Sequence, residues 1–113
     1  MRFVYRGVHT HHPALVAARL GTVTPANIAG RTAADAHNLG EGLAESPFTS
    51  WTHNYEIALS YARRFGPGGL VLRVPLGKPQ GAESWAWEWS PDVFGEEEIL
   101  LRGPRTGATV ELP

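Results

Sequence analysis

The chain has 113 residues, 42% hydrophobic and 19% charged, a composition that fits one globular domain over 1–113 and excludes a disordered tail. Ten Lys and Arg against eleven Asp and Glu leave a net charge of −1, without the basic excess that non-specific nucleic-acid binding uses. The absence of Cys excludes a disulfide framework and a thiolate metal site, and 13 Gly with 9 Pro argue against a long helical bundle.

The opening MRFVYRGVHTHHP has no apolar core of a signal peptide, and no apolar run approaches the roughly 18 residues of a spanning helix. Arg2–Val8 alternates and is rich in β-formers, so it is expected as a strand ending near Gly7. Pro13 then opens a short helix over Ala14–Leu20, with Gly21 placed as its C-cap. Residues 22–45 are small and polar and predict a long loop, within which Thr32 and Asp35 have the spacing of a capping box. Ser46–Thr52 predicts a strand entered through Pro47. Asn54 caps a helix over 55–65, whose Ile57, Ala58, Tyr61, Ala62 and Phe65 keep the spacing of one buried face.

Gly66, Pro67, Gly68 and Gly69 stop that helix, and Leu70–Val74 follows as a buried strand. Lys78–Gly81 reads as a turn. Trp85, Trp87 and Trp89 recur at period two and share a face if the segment is extended. After Pro91–Gly95, Glu98–Leu101 begins another strand, and Ala108–Leu112 is the expected last one. The class is α+β, rich in strands, with its helices in the N-terminal half.

Three segments carry residues suited to chemistry. Arg6 ends the first strand and precedes Gly7; a guanidinium fork matches phosphate oxygens, and a glycine lets a ligand approach the backbone. Ser50 and Thr52 stand two apart on a strand, so both hydroxyls face one way and can hold a ribose or orient a carboxylate. Glu96 and Glu98 share a face if extended, and repulsion between neighbouring carboxylates raises one pKa while the other stays ionised. Each segment also has a plain structural alternative. These are a salt-bridged surface Arg, a Thr-rich strand edge before the Asn54 cap, and a solvated acidic run leading into a strand. Among the histidines, His9 and His11 could share a metal, but no spacing supplies a third ligand and no metal site is expected. His37 with Asn38 belongs to the long loop.

The order of the three segments, with SPFTSWTHNYEIALSYARRF and SPDVFGEEEILLRG around the second and third, resembles the R-S-E class of mono-ADP-ribosyltransferases. That class includes bacterial toxins and the C-terminal toxin modules of polymorphic secretion systems. The resemblance covers Val4 to about Arg102. It implies a distorted two-sheet β-sandwich with short helices in the N-terminal half, holding NAD as substrate in a cleft. Arg6 would bind the NAD phosphates, and the Gly7 backbone would meet the nicotinamide amide. Ser50 would position the catalytic glutamate and the nicotinamide ribose, with Thr52 supporting the site. Glu98 would be the catalytic glutamate and Glu96 would activate the acceptor, an arginine side chain where the family carries an E-x-E pair. The loop with Trp85, Trp87, Trp89 and Phe94 would recognise that acceptor.

The resemblance further implies a toxin domain that acts in the cytoplasm of the producing or target cell, delivered as part of a larger secreted toxin. A cognate immunity or antitoxin protein would neutralise it, and no membrane partner is expected. An NAD glycohydrolase without transfer is the near variant. A small microbial ribonuclease fits the size and the Glu, Arg and His content, but the near-neutral charge counts against it. A non-catalytic binding module would leave Arg6, Ser50 and Glu98 scattered.

Overall fold

In the computed structural model, which describes residues 2–26, 48–76, 87–89, 98–102 and 105–113, the alternating N-terminal segment Arg2–Val8 is strand β1. Helix α1 follows at Leu15–Arg19. It ends as a Schellman motif: Gly21, at φ +73°, donates its N–H to the Ala18 carbonyl, and Thr22 donates to that of Ala17. A side chain at Gly21 would also run into the Ala108 carbonyl, 2.6 Å from its Cβ position.

Strand β2 is Phe48–Thr52 and helix α2 is Tyr55–Ala62. Asn54 caps α2 as expected, its side-chain oxygen accepting the Glu56 N–H. The helix stops three residues before the expected 65. Arg63 leaves the helical geometry, Gly66 adopts φ +95°, and Pro67 follows. Phe65 therefore falls outside the helical spacing; it is 54% exposed and packs edge-on against His9 and His11 instead of entering the core.

Strand β3, Leu70–Leu76, extends two residues past Val74. Pro75 is tolerated there because β6 pairs only as far as Arg73, leaving that end of β3 at an edge of the sheet. The remaining strands are β4 at Trp87–Trp89, β5 at Glu98–Arg102 and β6 at Thr109–Glu111. The capping-box segment at Thr32 and Asp35, His37 with Asn38, the Lys78–Gly81 turn, Trp85, Phe94 and Glu96 lie outside the described residues.

Among the described residues six strands form one antiparallel sheet in the order β4-β5-β2-β1-β3-β6. This bears out the α+β class, although the strands join a single sheet where two packed sheets were expected. The sheet is strongly uneven at its centre. β1 pairs with β3 along its whole length, from Arg2 opposite Leu76 to Val8 opposite Leu70, but with β2 only at Tyr5 opposite Thr52.

Alternation sends the two sets of side chains to different layers. Val4, Val8, Leu70, Leu72, Trp51, Ile99 and Leu101 form the main core with Leu15 and Ala18 of α1. On the opposite face Val71 packs with Ala58 and Ala62 of α2, flanked by Tyr5, Tyr55 and Leu59. The Tyr55 hydroxyl donates to Glu111 of β6 at 2.9 Å, which ties the start of α2 across the sheet. Donating that bond to Glu111 favours the protonated phenol and raises the Tyr55 pKa. No helix among the described residues is long and apolar enough to cross a membrane.

Candidate functional site

The single register pair between β1 and β2 sets the site. From Tyr5 toward Val8 on one strand, and from Thr52 toward Phe48 on the other, no further register pair joins them. Arg6 spans this interval, its Nη1 donating to the Ser50 carbonyl at 2.9 Å across 44 residues of sequence. A cavity of about 330 Å³ opens at the same place, within the size range of small-molecule sites. β1 contributes Tyr5, Arg6 and Gly7 to its lining, and β2 contributes Ser50, Trp51 and Thr52.

Local chemistry holds both walls. Trp51 is 2% exposed in the main core, where its indole N–H donates to the Thr49 hydroxyl at 2.8 Å. That anchorage on one face of β2 leaves Ser50 and Thr52 on the other. The buried Thr52 hydroxyl accepts the Asn54 N–H at 3.0 Å, turning the chain directly from β2 into the cap of α2.

Helix α2 closes the site with Ile57, Ala58 and Tyr61, and Arg64 stands just beyond its end. Two glycines let α2 lie this low. A Cβ on Gly7 would come within 2.0 Å of the Ala58 carbonyl oxygen, and one on Gly69 equally close to that of Ala62. The glycine after Arg6 thus answers to helix packing, a requirement separate from the ligand approach read from the sequence. Its backbone nevertheless faces the cavity.

Four of the residues singled out in the sequence, Arg6, Gly7, Ser50 and Thr52, line this one cavity. Glu98 stands on β5 in direct register with Thr52, one strand outward from the gap. Glu96 lies outside the described residues. Ser50 has a backbone role besides the expected hydroxyl role, since its carbonyl receives Arg6.

Sequence reasoning missed the cavity roles of Ile57, Tyr61 and Arg64. Positions 57, 58, 61 and 64 form a helical stripe, a signal available from spacing but attributed to the core. It also missed His9 and His12, which line the cavity from the segment after β1.

These histidines are organised by the backbone. His9 Nδ1 accepts the His11 N–H at 3.1 Å, and His12 Nδ1 accepts the Ala14 N–H at 2.9 Å. The His9 and His12 rings meet edge to face, with centroids 5.3 Å apart. No group of three or more metal-ligating side chains converges among the described residues. Partial burial, then the Arg6 charge, then His9 push the His12 pKa below its ordinary value of 6.5.

The described lining carries two guanidiniums, Arg6 and Arg64, together with two imidazoles and no carboxylate. In a chain of net charge −1, this is a local concentration of donors and positive charge suited to an anionic ligand. Comparison with protein-family models, curated proteins and solved structures finds no match to this chain.

Proposed function

We propose that the chain is an ADP-ribosyltransferase domain that cleaves NAD at the cavity between β1 and β2. The observation that carries the proposal is convergence. Arg6 and Gly7, from one strand, line the same cavity as Ser50 and Thr52, from another more than forty residues away. A binding module with incidental Arg, Ser and Thr residues has no reason to bring them together. The lining also has the sign of charge that a dinucleotide diphosphate requires.

The two-sheet arrangement implied by the resemblance has a counterpart in the uneven sheet. Strands β4-β5-β2 and β1-β3-β6 make two three-stranded halves, and β1 and β2 meet at one pair. A cleft between parted halves is where that family holds NAD.

In the proposed reaction, the bond between the nicotinamide nitrogen and the ribose anomeric carbon breaks, and nicotinamide leaves with the electron pair. Positive charge develops on the ribose ring, and the Glu98 carboxylate stabilises it. At about 4 Å and an effective dielectric near 20, such a charge pair is worth roughly 4 kcal/mol. The part present only in the transition state lowers the barrier. Arg6 would hold the diphosphate and Ser50 would position Glu98 and the ribose, with Gly7 and Thr52 framing the nicotinamide end. Glu96 would take a proton from the acceptor, an arginine side chain whose nitrogen forms the new bond to the anomeric carbon. With water as acceptor, the same steps give a glycohydrolase.

As a toxin domain, it would be delivered within a larger secreted protein, act in the cytoplasm and be neutralised by a cognate immunity or antitoxin protein. The test is release of labelled nicotinamide from NAD, with RNA incubated in parallel. Wild type is expected to release nicotinamide and leave RNA intact, and Glu98→Gln to lower release by about 10²–10³-fold. Glu96→Ala should spare NAD hydrolysis more than transfer to an arginine analogue. Near-normal turnover by Glu98→Gln removes the assignment, and RNA cleavage without nicotinamide release replaces it with a ribonuclease.

A further inference from the structure

We infer that His12 is a second anion-binding residue of this cavity, acting beside Arg6 as a neutral hydrogen-bond donor through Nε2–H to a diphosphate. The inference rests on reading the cavity as a diphosphate site, and it assigns that site a residue which the resemblance to the transferase family does not supply.

The backbone dictates the tautomer. A ring nitrogen that accepts a hydrogen bond carries no proton, and His12 Nδ1 accepts the Ala14 N–H at 2.9 Å. The proton of the neutral ring is therefore on Nε2, the atom left to donate. His12 lines the same cavity as Arg6. Its surroundings keep it neutral, since burial, the Arg6 guanidinium and His9 all disfavour the imidazolium. Protonating Nδ1 would also end the bond from Ala14.

The result is a donor with a fixed proton, held in place before any ligand arrives. The ordering cost of that side chain is already met in the free protein. His9 has the same backbone lock, but its ring is held between His12 and Phe65, at 5.3 and 4.7 Å between centroids. His12 is the ring whose charge state Arg6 influences directly.

The two nitrogens of His12 have separable tasks, which two substitutions can distinguish. Asn places an acceptor near the position of Nδ1 and has nothing at Nε2, so His12→Asn keeps the turn and removes the donor. Gln places an amide N–H near the position of Nε2 and has no acceptor at Nδ1, so His12→Gln does the reverse.

The experiment is calorimetric titration of inorganic pyrophosphate into the full chain at pH 7.5, with thermal melts of each variant. His12→Asn is expected to melt with wild type and bind about tenfold more weakly, the loss of one hydrogen bond to a charged group. His12→Gln is expected to melt lower and bind within about threefold of wild type. The inference is overturned if His12→Asn binds as wild type, if both variants weaken equally, or if wild type binds no pyrophosphate. Nicotinamide release from the same proteins separates the two claims. Cleavage that continues while His12→Asn binds normally sinks only the His12 assignment. Pyrophosphate binding that depends on His12 without any NAD cleavage sinks only the transferase reading.

Discussion

Strand β1 has two neighbours and treats them differently. Toward β3 it pairs at every residue, and the interface is filled by Val4, Val8, Leu70, Leu72 and Val74, all buried. Toward β2 it pairs once, and beyond that pair the Arg6 guanidinium reaches the Ser50 carbonyl beside an open cavity. The first interface satisfies backbone groups with backbone groups and excludes water. The second sets polar side chains beside a cavity, with Arg6 reaching the Ser50 carbonyl. The filled interface and the proposed binding site thus lie on opposite edges of the same seven-residue strand.

That contrast can be broken from either side. The largest effect is expected on the filled side, where Leu72→Ala should cost about 2–5 kcal/mol in urea unfolding, since Leu72 is fully buried. Where the variant remains folded, its pyrophosphate affinity should be unchanged; a selective loss of affinity would show that the two edges are not independent. Thr52→Val, at the one joint of the open side, should cost about 1 kcal/mol by removing the acceptor for the Asn54 N–H. It should also lower nicotinamide release by more than that destabilisation explains, and an unchanged release rate would confine Thr52 to a structural role.

The smallest expected effect is a pH dependence. His12 has a folded-state pKa below its unfolded value, so its contribution to stability is complete above about pH 6.5. That contribution is lost as pH falls from there through the folded-state pKa. The groups sharing its surroundings are Arg6 on β1, His9 beside it, and Tyr61 and Arg64 from α2 and its end. Melting temperatures from pH 8 to pH 5 should therefore fall less in His12→Asn than in wild type; parallel slopes would show that His12 does not titrate across folding.

Local pattern made several elements legible. Alternation gave β1, Asn54 gave the start of α2, and the Pro and Gly run after Phe65 gave the connection to β3. Ser50 and Thr52 were legible as a pair because strand alternation turns them to one face. Arg6 was legible only by residue type, since alternation sets it with Val4 and Val8 and it reaches Ser50 by its long side chain. Strand order was not, since placing β1 between β2 and β3 depends on pairings across more than forty residues. Phe65 misled because hydrophobic spacing carries no information on where Arg63 leaves the helix. His12 was not legible, since the role proposed for it depends on a backbone N–H two residues on.

The two glycine notches under α2 have a further consequence. Because the helix is seated by backbone against backbone at Gly7 and Gly69, its depth on the sheet is set by two residues that carry no side chain. Ile57 and Arg64 line the cavity without entering that seat, whereas the Tyr61 Cβ lies 2.8 Å from where a Cβ on Gly7 would stand. Substitutions at Ile57 and Arg64 are therefore expected to reshape the pocket wall while the sheet and helix keep their alignment, and substitutions at Tyr61 to shift the helix as well.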